Sequence, residues 1–180
     1  MKGIINKGIQ EFVESQFGPE AWSEVRTRAG CTEPFFAVSE DYPDQMTLDL
    51  VAVGAAVAGI PECEVMVAYG RWLVPNTLKA HYDTYYRLAG ATPRQFLLNI
   101  NRVHDQVTRS MANAAPPRFE YCDLEGGGLR ITYTSERHLC PVLRGLILGV
   151  GDLFGQELAV AKTACYHDGD PHCVMEVSFP

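Results

Sequence analysis

The sequence predicts an α+β fold, in which a helical N-terminal subdomain packs on a C-terminal subdomain with a four-stranded antiparallel sheet and helices. Two observations predict it. Apolar residues recur at helical spacing through the first two thirds of the chain, up to residues 114–117. After that segment, short alternating runs flank glycine-containing turns, which is typical of β-hairpins. A chain of 180 residues is long enough for one domain, or for two small subdomains that share a core.

Glycine and proline residues bound the predicted helices. The first five cover residues 8–17, 19–29, 45–58, 61–73 and 77–89. The sixth begins with a capping box, in which Thr92 is the N-cap and Gln95 follows three residues later, and it runs to about residue 113. Two hairpins follow, with a strongly apolar helix between them. The hairpin strands are predicted at 119–124 with 129–133 and at 158–166 with 172–179, and the helix at 138–154.

Composition excludes some classes of partner. The net charge of −7 argues against a nucleic acid, because phosphate binding needs clustered lysine and arginine. The longest apolar run, residues 50–60, is too short to cross a bilayer, and the N-terminus lacks the apolar core of a signal peptide. We therefore expect a cytoplasmic protein that does not enter a membrane, with its six cysteines as reduced thiols.

A histidine lies in the apolar stripe of the sixth predicted helix. His104 falls one turn after Ile100 and just before Val107, so its imidazole is expected to point inward. The helix pattern alone allows two interpretations. The ring is either a core histidine bonded to a backbone carbonyl and water, or a ligand of a metal or a heme iron.

A second candidate site follows the first hairpin. In an extended strand, Tyr133, Ser135 and Arg137 would point to one face and present a phenol, a hydroxyl and a guanidinium together. Such donors suit a ligand that carries carboxylates. The alternative is a solvent-facing edge, with Arg137 paired to a surface glutamate.

Cysteine and histidine residues gather near the C-terminus: Cys140, Cys165, His167, His172 and Cys173. Zinc takes four such ligands, but the spacing matches no short zinc signature, and buried free cysteines are common. The chain has no P-loop, dinucleotide-binding fingerprint, Gly-x-Ser-x-Gly or His-Glu-x-x-His motif, so we expect no enzymatic activity.

Three of these features together resemble one family. An inward His104, a Pro-Pro pair after it, and Tyr-x-Ser-x-Arg about thirty residues after the histidine resemble the heme-nitric oxide/oxygen-binding (H-NOX) domains of bacteria and of soluble guanylate cyclase. The resemblance covers essentially the whole chain. It implies a single domain over residues 1–180, with a distal helical subdomain at about 1–65, a proximal subdomain at 66–180, and heme b between them.

The resemblance also implies a role for each motif residue. His104 matches the axial ligand of the heme iron, and Pro117 matches the proline that presses on the porphyrin. The residues that match the propionate-binding set are Tyr133, Ser135 and Arg137. The implied remaining pocket residues are Ile5, Ile9, Leu73, Val103, Val142 and Leu146.

The resemblance also indicates which gas the heme would bind, through the residues on the face of the heme opposite His104, called the distal side. Relatives that bind oxygen stably have a tyrosine where this chain has Val142, so the resemblance implies binding of NO and CO without a stable oxygen complex. It also implies a signal, in which weakening of the iron–histidine bond lets the helix and the heme relax. Because the chain ends at Pro180, we expect a separate effector protein, such as a histidine kinase or a cyclic-di-GMP enzyme.

Zinc is a further implication of the family. Some relatives hold zinc on three cysteines and a histidine, and Cys140, Cys165 and Cys173 match those cysteines. The histidine position is Lys162 here, with His167 and His172 as the nearby substitutes, so the resemblance leaves the zinc site incomplete.

Two alternative functions were also considered: a binding module without heme, and a heme enzyme. The C-terminal segment from Cys165 to Met175 also resembles the 4-vinyl reductase type of small-molecule or metal-binding module. A heme enzyme would need a distal acid–base residue, and the sequence offers none.

Overall fold

The computed structural model describes all 180 residues and contains eight α-helices and four β-strands. The helices are α1 (Gly3–Phe17), α2 (Pro19–Arg28), α3 (Asp44–Ala58), α4 (Glu62–Leu73), α5 (Lys79–Ala89), α6 (Pro93–Leu98), α7 (Ile100–Thr108) and α8 (Cys140–Phe154). The strands are β1 (Arg118–Asp123), β2 (Leu129–Thr134), β3 (Ala159–Ala164) and β4 (Cys173–Ser178). The predicted α+β class and the four antiparallel strands are confirmed.

Two hydrophobic cores build the molecule. The N-terminal core joins α1 to α4 and is centred on Val25, Leu50 and Leu73. The C-terminal core joins the sheet to α5, α6, α7 and α8, with Ile131 and Ile147 almost fully buried. Leu146 and Leu78 pack against both cores. The space between the two cores is therefore bordered by apolar side chains.

The sheet has the strand order β1-β2-β4-β3, and every pairing is antiparallel. Alternate residues of β2 and β4 are buried on one face, and that face shares the C-terminal core with the apolar side of α8. Tyr133 lies opposite Cys173 in the β2–β4 pair. The end of β2 is thus fixed next to the start of β4.

Helices α4 and α8 cross in backbone contact at two glycines. A Cβ on Gly145 would lie 2.1 Å from the carbonyl oxygen of Val67, and a Cβ on Gly70 would lie 2.4 Å from that of Val142. Only glycine permits so close an approach. Because α4 belongs to the N-terminal core and α8 to the C-terminal core, this crossing is a principal contact between the two halves.

The structure corrects several predicted boundaries. Helix α1 begins at Gly3 rather than residue 8, and α8 begins at Cys140 rather than residue 138. The predicted separation of 61–73 from 77–89 is wrong, because a π-helical segment, Val74–Leu78, carries the helix from α4 into α5. Deformations of this kind accommodate a proline, here Pro75, which lacks an amide proton. No single helix is long and apolar enough to span a bilayer, and α3 passes that test only when joined, across a 107° bend, to residues 62–89.

The helix that carries His104 is shorter than predicted. Thr92 does cap a helix, accepting a hydrogen bond from the Gln95 amide at 3.2 Å. However, α6 stops at Asn99, whose side-chain amide donates to the carbonyls of Ala89 (2.8 Å) and Gln95 (2.9 Å). Asparagine side chains compete in this way with helix continuation. The histidine therefore lies on the separate helix α7, which ends at Thr108 rather than near residue 113.

Candidate functional site

A cavity of about 290 Å³ lies between the two cores. All the predicted heme-pocket residues line it: Ile5, Ile9, Leu73, Val103, His104, Pro117, Tyr133, Ser135, Arg137, Val142 and Leu146. They come from α1, α4, α7, α8, β2 and the segments that flank the strands. The fold thus brings the two separate motifs, the histidine and the Tyr-x-Ser-x-Arg segment, to one space.

The His104 imidazole is a neutral, incompletely bonded group in the cavity wall. Its Nδ1 atom is buried and has no hydrogen-bond partner. Burial lowers the pKa of His104, and the nearby Pro117 carbonyl opposes this effect only in part. A core histidine is ordinarily satisfied, so a buried orphan nitrogen calls for an explanation. A neutral imidazole is also the form that binds a metal ion.

Phe119 fixes the surroundings of the histidine. Its ring centroid lies 5.9 Å from that of His104 and 5.7 Å from that of Tyr133, on which it stacks. The Asn101 side chain ties α7 to β1 by bonding both the amide and the carbonyl of Phe119, at 3.2 and 2.8 Å. Helix α7, which carries His104, is therefore held to β1, the strand that pairs with β2 and its Tyr133.

The alternation of the sequence predicted that Tyr133, Ser135 and Arg137, here called the donor cluster, lie in one extended strand. This prediction is wrong. β2 ends at Thr134, and Ser135 and Arg137 belong to the turn that follows. The Ser135 hydroxyl accepts a hydrogen bond from the Arg137 amide at 3.2 Å, which folds the turn back toward the cavity. All three side chains still line the same cavity, but the turn, rather than the strand pleat, places the last two there.

The three donors differ in burial. Tyr133 is only 4% exposed, and burial raises the pKa of its phenol, with the Ser135 hydroxyl opposing. Arg137 is partly exposed and also lines an outer cleft of about 540 Å³. The inner cavity therefore opens to the surface at the guanidinium. A carboxylate located there would meet both a cation and hydroxyl donors.

Asp44 lies beside Arg137 at the mouth of the cavity, where the cavity opens to the surface. The sequence did not predict this residue as part of the site. Its carboxylate accepts hydrogen bonds from the Arg137 guanidinium (2.7 Å) and from the N-terminal ammonium of Met1. Burial raises the pKa of Asp44, but these two cations outweigh it, and the net shift is downward. No sequence signal connects Asp44 to Arg137, because they are 93 residues apart.

The distal wall of the cavity is apolar except for one phenol. Val142, Leu146 and Ile5 line it. Tyr69, which the sequence analysis missed, is 3% exposed and also lines the cavity. Its hydroxyl donates to the carbonyl of Ile5 at 2.8 Å, so its proton is already engaged.

Helix α5 contributes two further tyrosines that were not predicted, Tyr82 and Tyr86. The hydroxyl of Tyr86 donates to the carbonyl of Val74 in the π-helical segment at 3.1 Å. Tyr82 has non-helical backbone angles (φ −127°, ψ 24°). The sequence predicted a helix over 77–89, but nothing in it indicated that these two tyrosines line a cavity.

The residues present fit a heme. Of the 34 residues that line the cavity, 24 are hydrophobic, as the walls around an apolar macrocycle require. A half-buried neutral imidazole stands on one side, and a guanidinium with two hydroxyls stands at the mouth, where propionates would emerge. No other histidine lines the cavity, so His104 is its one imidazole.

The three predicted zinc-type cysteines also converge. Cys140, Cys165 and Cys173 are each at most 1% exposed, and their sulfur atoms all lie within 4.8 Å of one another. The cluster lies behind the mouth, since Cys173 is the cross-strand neighbour of Tyr133. No histidine joins this group of ligand atoms.

Comparison with known proteins gives one family. The family model described as Haem-NO-binding matches residues 2–162. The chain is 26% identical to soluble guanylate cyclase gcy-31 of Caenorhabditis elegans, over 99% of this chain and 26% of that protein. It is also 26% identical to soluble guanylate cyclase 89Db of Drosophila melanogaster, over 76% of this chain and 20% of that protein. The chain thus spans about a quarter or less of the length of these curated relatives.

Solved structures share the whole fold. An H-NOX protein from S. oneidensis in the Fe(II)NO ligation state superposes with a TM-score of 0.91 at 23% identity, covering 100% of this chain and 99% of that one. The I5F mutant of the T. Tengcongensis H-NOX superposes with a TM-score of 0.85 at 23% identity, covering 99% and 97%. At this level of identity the structures establish the fold alone.

Proposed function

Because this chain belongs to the Haem-NO-binding (H-NOX) family, we propose that it is a heme-based sensor of nitric oxide and carbon monoxide rather than an enzyme. One observation carries the proposal: the half-buried imidazole of His104, whose Nδ1 atom has no hydrogen-bond partner, and the Tyr133–Ser135–Arg137 donors line one apolar cavity. When bound there, ferrous heme b would supply the axial coordination position at which a diatomic gas binds.

Each site residue has a distinct proposed role. His104 is the axial ligand, which burial keeps neutral and therefore competent to bind iron. Arg137, Tyr133 and Ser135 hold the propionates by charge-assisted and neutral hydrogen bonds. Pro117 packs against the porphyrin from the segment between α7 and β1.

The distal wall supports a preference among gases. Oxygen bound to ferrous heme is stabilised by a hydrogen-bond donor, whereas NO and CO do not need one. Val142 and Leu146 offer no donor, and the Tyr69 proton is given to Ile5. The sensor therefore forms no stable oxygen complex. The S. oneidensis H-NOX structures, which were determined in Fe(II)NO and Fe(II)CO ligation states, support the same pair of ligands.

The signal would leave through α7. The helix is only nine residues long, and its outer side carries Arg102 and Asp105 in solvent, with Arg109 exposed just after its end. Asp105 pairs with Arg118 of β1 at 2.9 Å, and Asn101 bonds Phe119. When His104 is released, these polar contacts are what α7 must rearrange. The effector we propose is a separate cytoplasmic protein, such as a histidine kinase or a cyclic-di-GMP enzyme.

A movement of α7 would have to pass from one proposed subdomain to the other. We place the distal subdomain at about residues 1–65 and the proximal one at 66–180, within a single domain. Helix α4 straddles that boundary, since it packs in the N-terminal core and crosses α8 at the glycine contact. A shift of α7 would reach the distal part through this crossing and through the mouth pair of Arg137 and Asp44.

Absorption spectroscopy tests the proposed function directly. We expect the purified, heme-loaded protein to show a Soret band, to change it on adding NO or CO to the reduced form, and to form no lasting oxy spectrum in air. A protein that takes up no heme would favour the 4-vinyl reductase type of module instead. Turnover of peroxide by the heme-loaded protein would favour an enzyme.

A further inference from the structure

We propose that Lys162 keeps the cluster of Cys140, Cys165 and Cys173, here called the thiol cluster, from closing around zinc, so that it is a three-sulfur site with no fourth protein ligand. This inference does not depend on heme binding. It concerns a site next to Tyr133 of β2, where three separate elements meet: the start of α8, the residue after β3 and the start of β4.

The three sulfurs are spaced as metal ligands would be. The Sγ atom of Cys165 lies 3.3 Å from that of Cys140 and 4.0 Å from that of Cys173. In a tetrahedral site with Zn–S bonds of about 2.3 Å, the sulfurs would be roughly 3.8 Å apart. Small side-chain rotations would therefore satisfy three of the four positions.

Backbone donors support the sulfurs. The amide of Tyr166, in the turn that joins β3 to β4, donates to the Cys173 sulfur at 3.4 Å. Hydrogen bonds from backbone amides to sulfur are a supporting feature of thiolate metal sites. One cluster sulfur thus already receives a backbone hydrogen bond of the kind that supports a thiolate ligand.

A cation lies next to the cluster. The Lys162 ammonium lies beside the Cys165 thiol and forms an ion pair with Asp168, whose Oδ2 atom is 2.7 Å from Nζ. A protonated amine has no lone pair to give to a metal. Its charge would also repel a divalent cation held by the adjacent sulfur. Lys162 therefore both withholds a ligand and opposes the metal.

The nearby histidines are committed elsewhere. The Nε2 atom of His167 lies 3.0 Å from the His138 carbonyl oxygen, and the His138 ring stacks on Tyr166 with centroids 4.0 Å apart. His172 does not join the convergent group of ligand atoms. No histidine therefore contributes a ligand atom to the cluster in this arrangement.

A single substitution should complete the site. Lys162 lies on β3, three residues before Cys165, where the family members that hold zinc have histidine. Lys162→His supplies the missing ligand and removes the cation. Lys162→Gln is the matched control, because it removes the charge and adds no imidazole.

The experiment measures zinc affinity in the full-length protein by competition with a graded series of chelators, followed by metal analysis. We expect Lys162→His to retain one zinc per chain and to bind it at least ~10–100-fold more tightly than wild type, the factor that even a supporting residue contributes. Lys162→Gln should bind zinc more tightly than wild type, because the repulsion is removed, but less tightly than Lys162→His, which also supplies a ligand. Cys173→Ser in the Lys162→His background should abolish the gain.

Two results would overturn the proposal. One is wild-type protein that holds a full equivalent of zinc as tightly as Lys162→His, which would mean that another group completes the site. The other is Lys162→His that keeps the wild-type circular dichroism spectrum yet gains no zinc. Should Lys162→His fail to fold, the wild-type protein decides alone, since tight stoichiometric zinc in it contradicts the proposal and its loss to a weak chelator supports it.

Discussion

The guanidinium of Arg137 donates to the carboxylate of Asp44 at 2.7 Å, across 93 residues of sequence. Asp44 is the first residue of α3, and Arg137 lies in the turn after β2. The pair therefore connects the helical half of the molecule to the mouth of the cavity. It holds the guanidinium in place before any ligand arrives.

Substitutions at this pair should separate ligand binding from positioning. Arg137→Gln removes a charge-assisted partner of a propionate, which contributes about 1.5–3 kcal/mol, so we expect heme affinity to fall by roughly 10–100-fold. Asp44→Asn leaves the guanidinium in place and should have a smaller effect, with a loss of stability of no more than about 1 kcal/mol for a partly exposed pair. Heme transfer to apomyoglobin measures both affinities. Equal effects of the two substitutions would argue against a propionate contact.

The glycine crossing of α4 and α8 gives a stability prediction. Gly145→Ala places a Cβ about 2.1 Å from the Val67 carbonyl, so the helices must separate. We expect a loss of about 1–3 kcal/mol in the free energy of unfolding. Gly54→Ala on α3 is the matched control, because nothing lies within 4 Å of its added Cβ, and it should raise stability by about 0.5–1 kcal/mol. Urea denaturation measures both. A neutral Gly145→Ala would show that the helices do not cross in contact.

The distal wall predicts how the protein responds to oxygen. Val142→Tyr introduces a hydroxyl at an apolar lining position, and we expect it to give a lasting oxy spectrum of the reduced protein in air, unlike wild type. Tyr69→Phe is the control for the phenol already present. Because that hydroxyl is bonded to Ile5, its removal should leave oxygen behaviour unchanged and cost about 1 kcal/mol of stability. Stable oxygen binding by the wild-type protein would refute this account of the distal side.

The half-buried imidazole of His104 predicts a dependence of stability on pH in the heme-free chain. Burial lowers the native pKa of His104 below its ordinary value of 6.5. As pH falls through 6.5, the unfolded chain takes up a proton that the folded chain resists, so the free energy of unfolding should fall. A His104→Gln variant should lose this part of the dependence. Urea denaturation at pH 7.5 and 5.5 tests it, and identical pH dependence in both proteins would contradict the burial of a neutral ring.

Local patterns predicted much of the fold. The Thr92 cap, the two hairpins and the apolar stripe of α8 all follow from contacts close in sequence, and each lies within a few residues of its predicted place. The errors occur where side chains compete with the helix ladder. Asn99 ends α6 by bonding two carbonyls, and Pro75 is absorbed by a π-helical segment. Apolar periodicity predicts neither the end of α6 at Asn99 nor the helical segment that continues through Pro75.

The residues of the candidate site also fall into those that local sequence patterns indicate and those that they do not. His104 and the Tyr133–Ser135–Arg137 segment are compact signals and could be found in the sequence. Asp44 and Tyr69 could not be found, because their roles depend on partners 93 and 64 residues away. The turn that brings Ser135 and Arg137 to the cavity was predicted as a strand, so these residues do line the cavity but the stated geometric reason was wrong.

The axial role of His104 is the central claim, and the spectrum of reduced His104→Gly tests it most directly. We expect the heme-loaded variant to lose the wild-type ferrous spectrum and to recover it when imidazole is added, because imidazole can occupy the space that the side chain leaves. Circular dichroism confirms that the variant is folded. A His104→Gly protein that keeps the wild-type ferrous spectrum without added imidazole would contradict the claim.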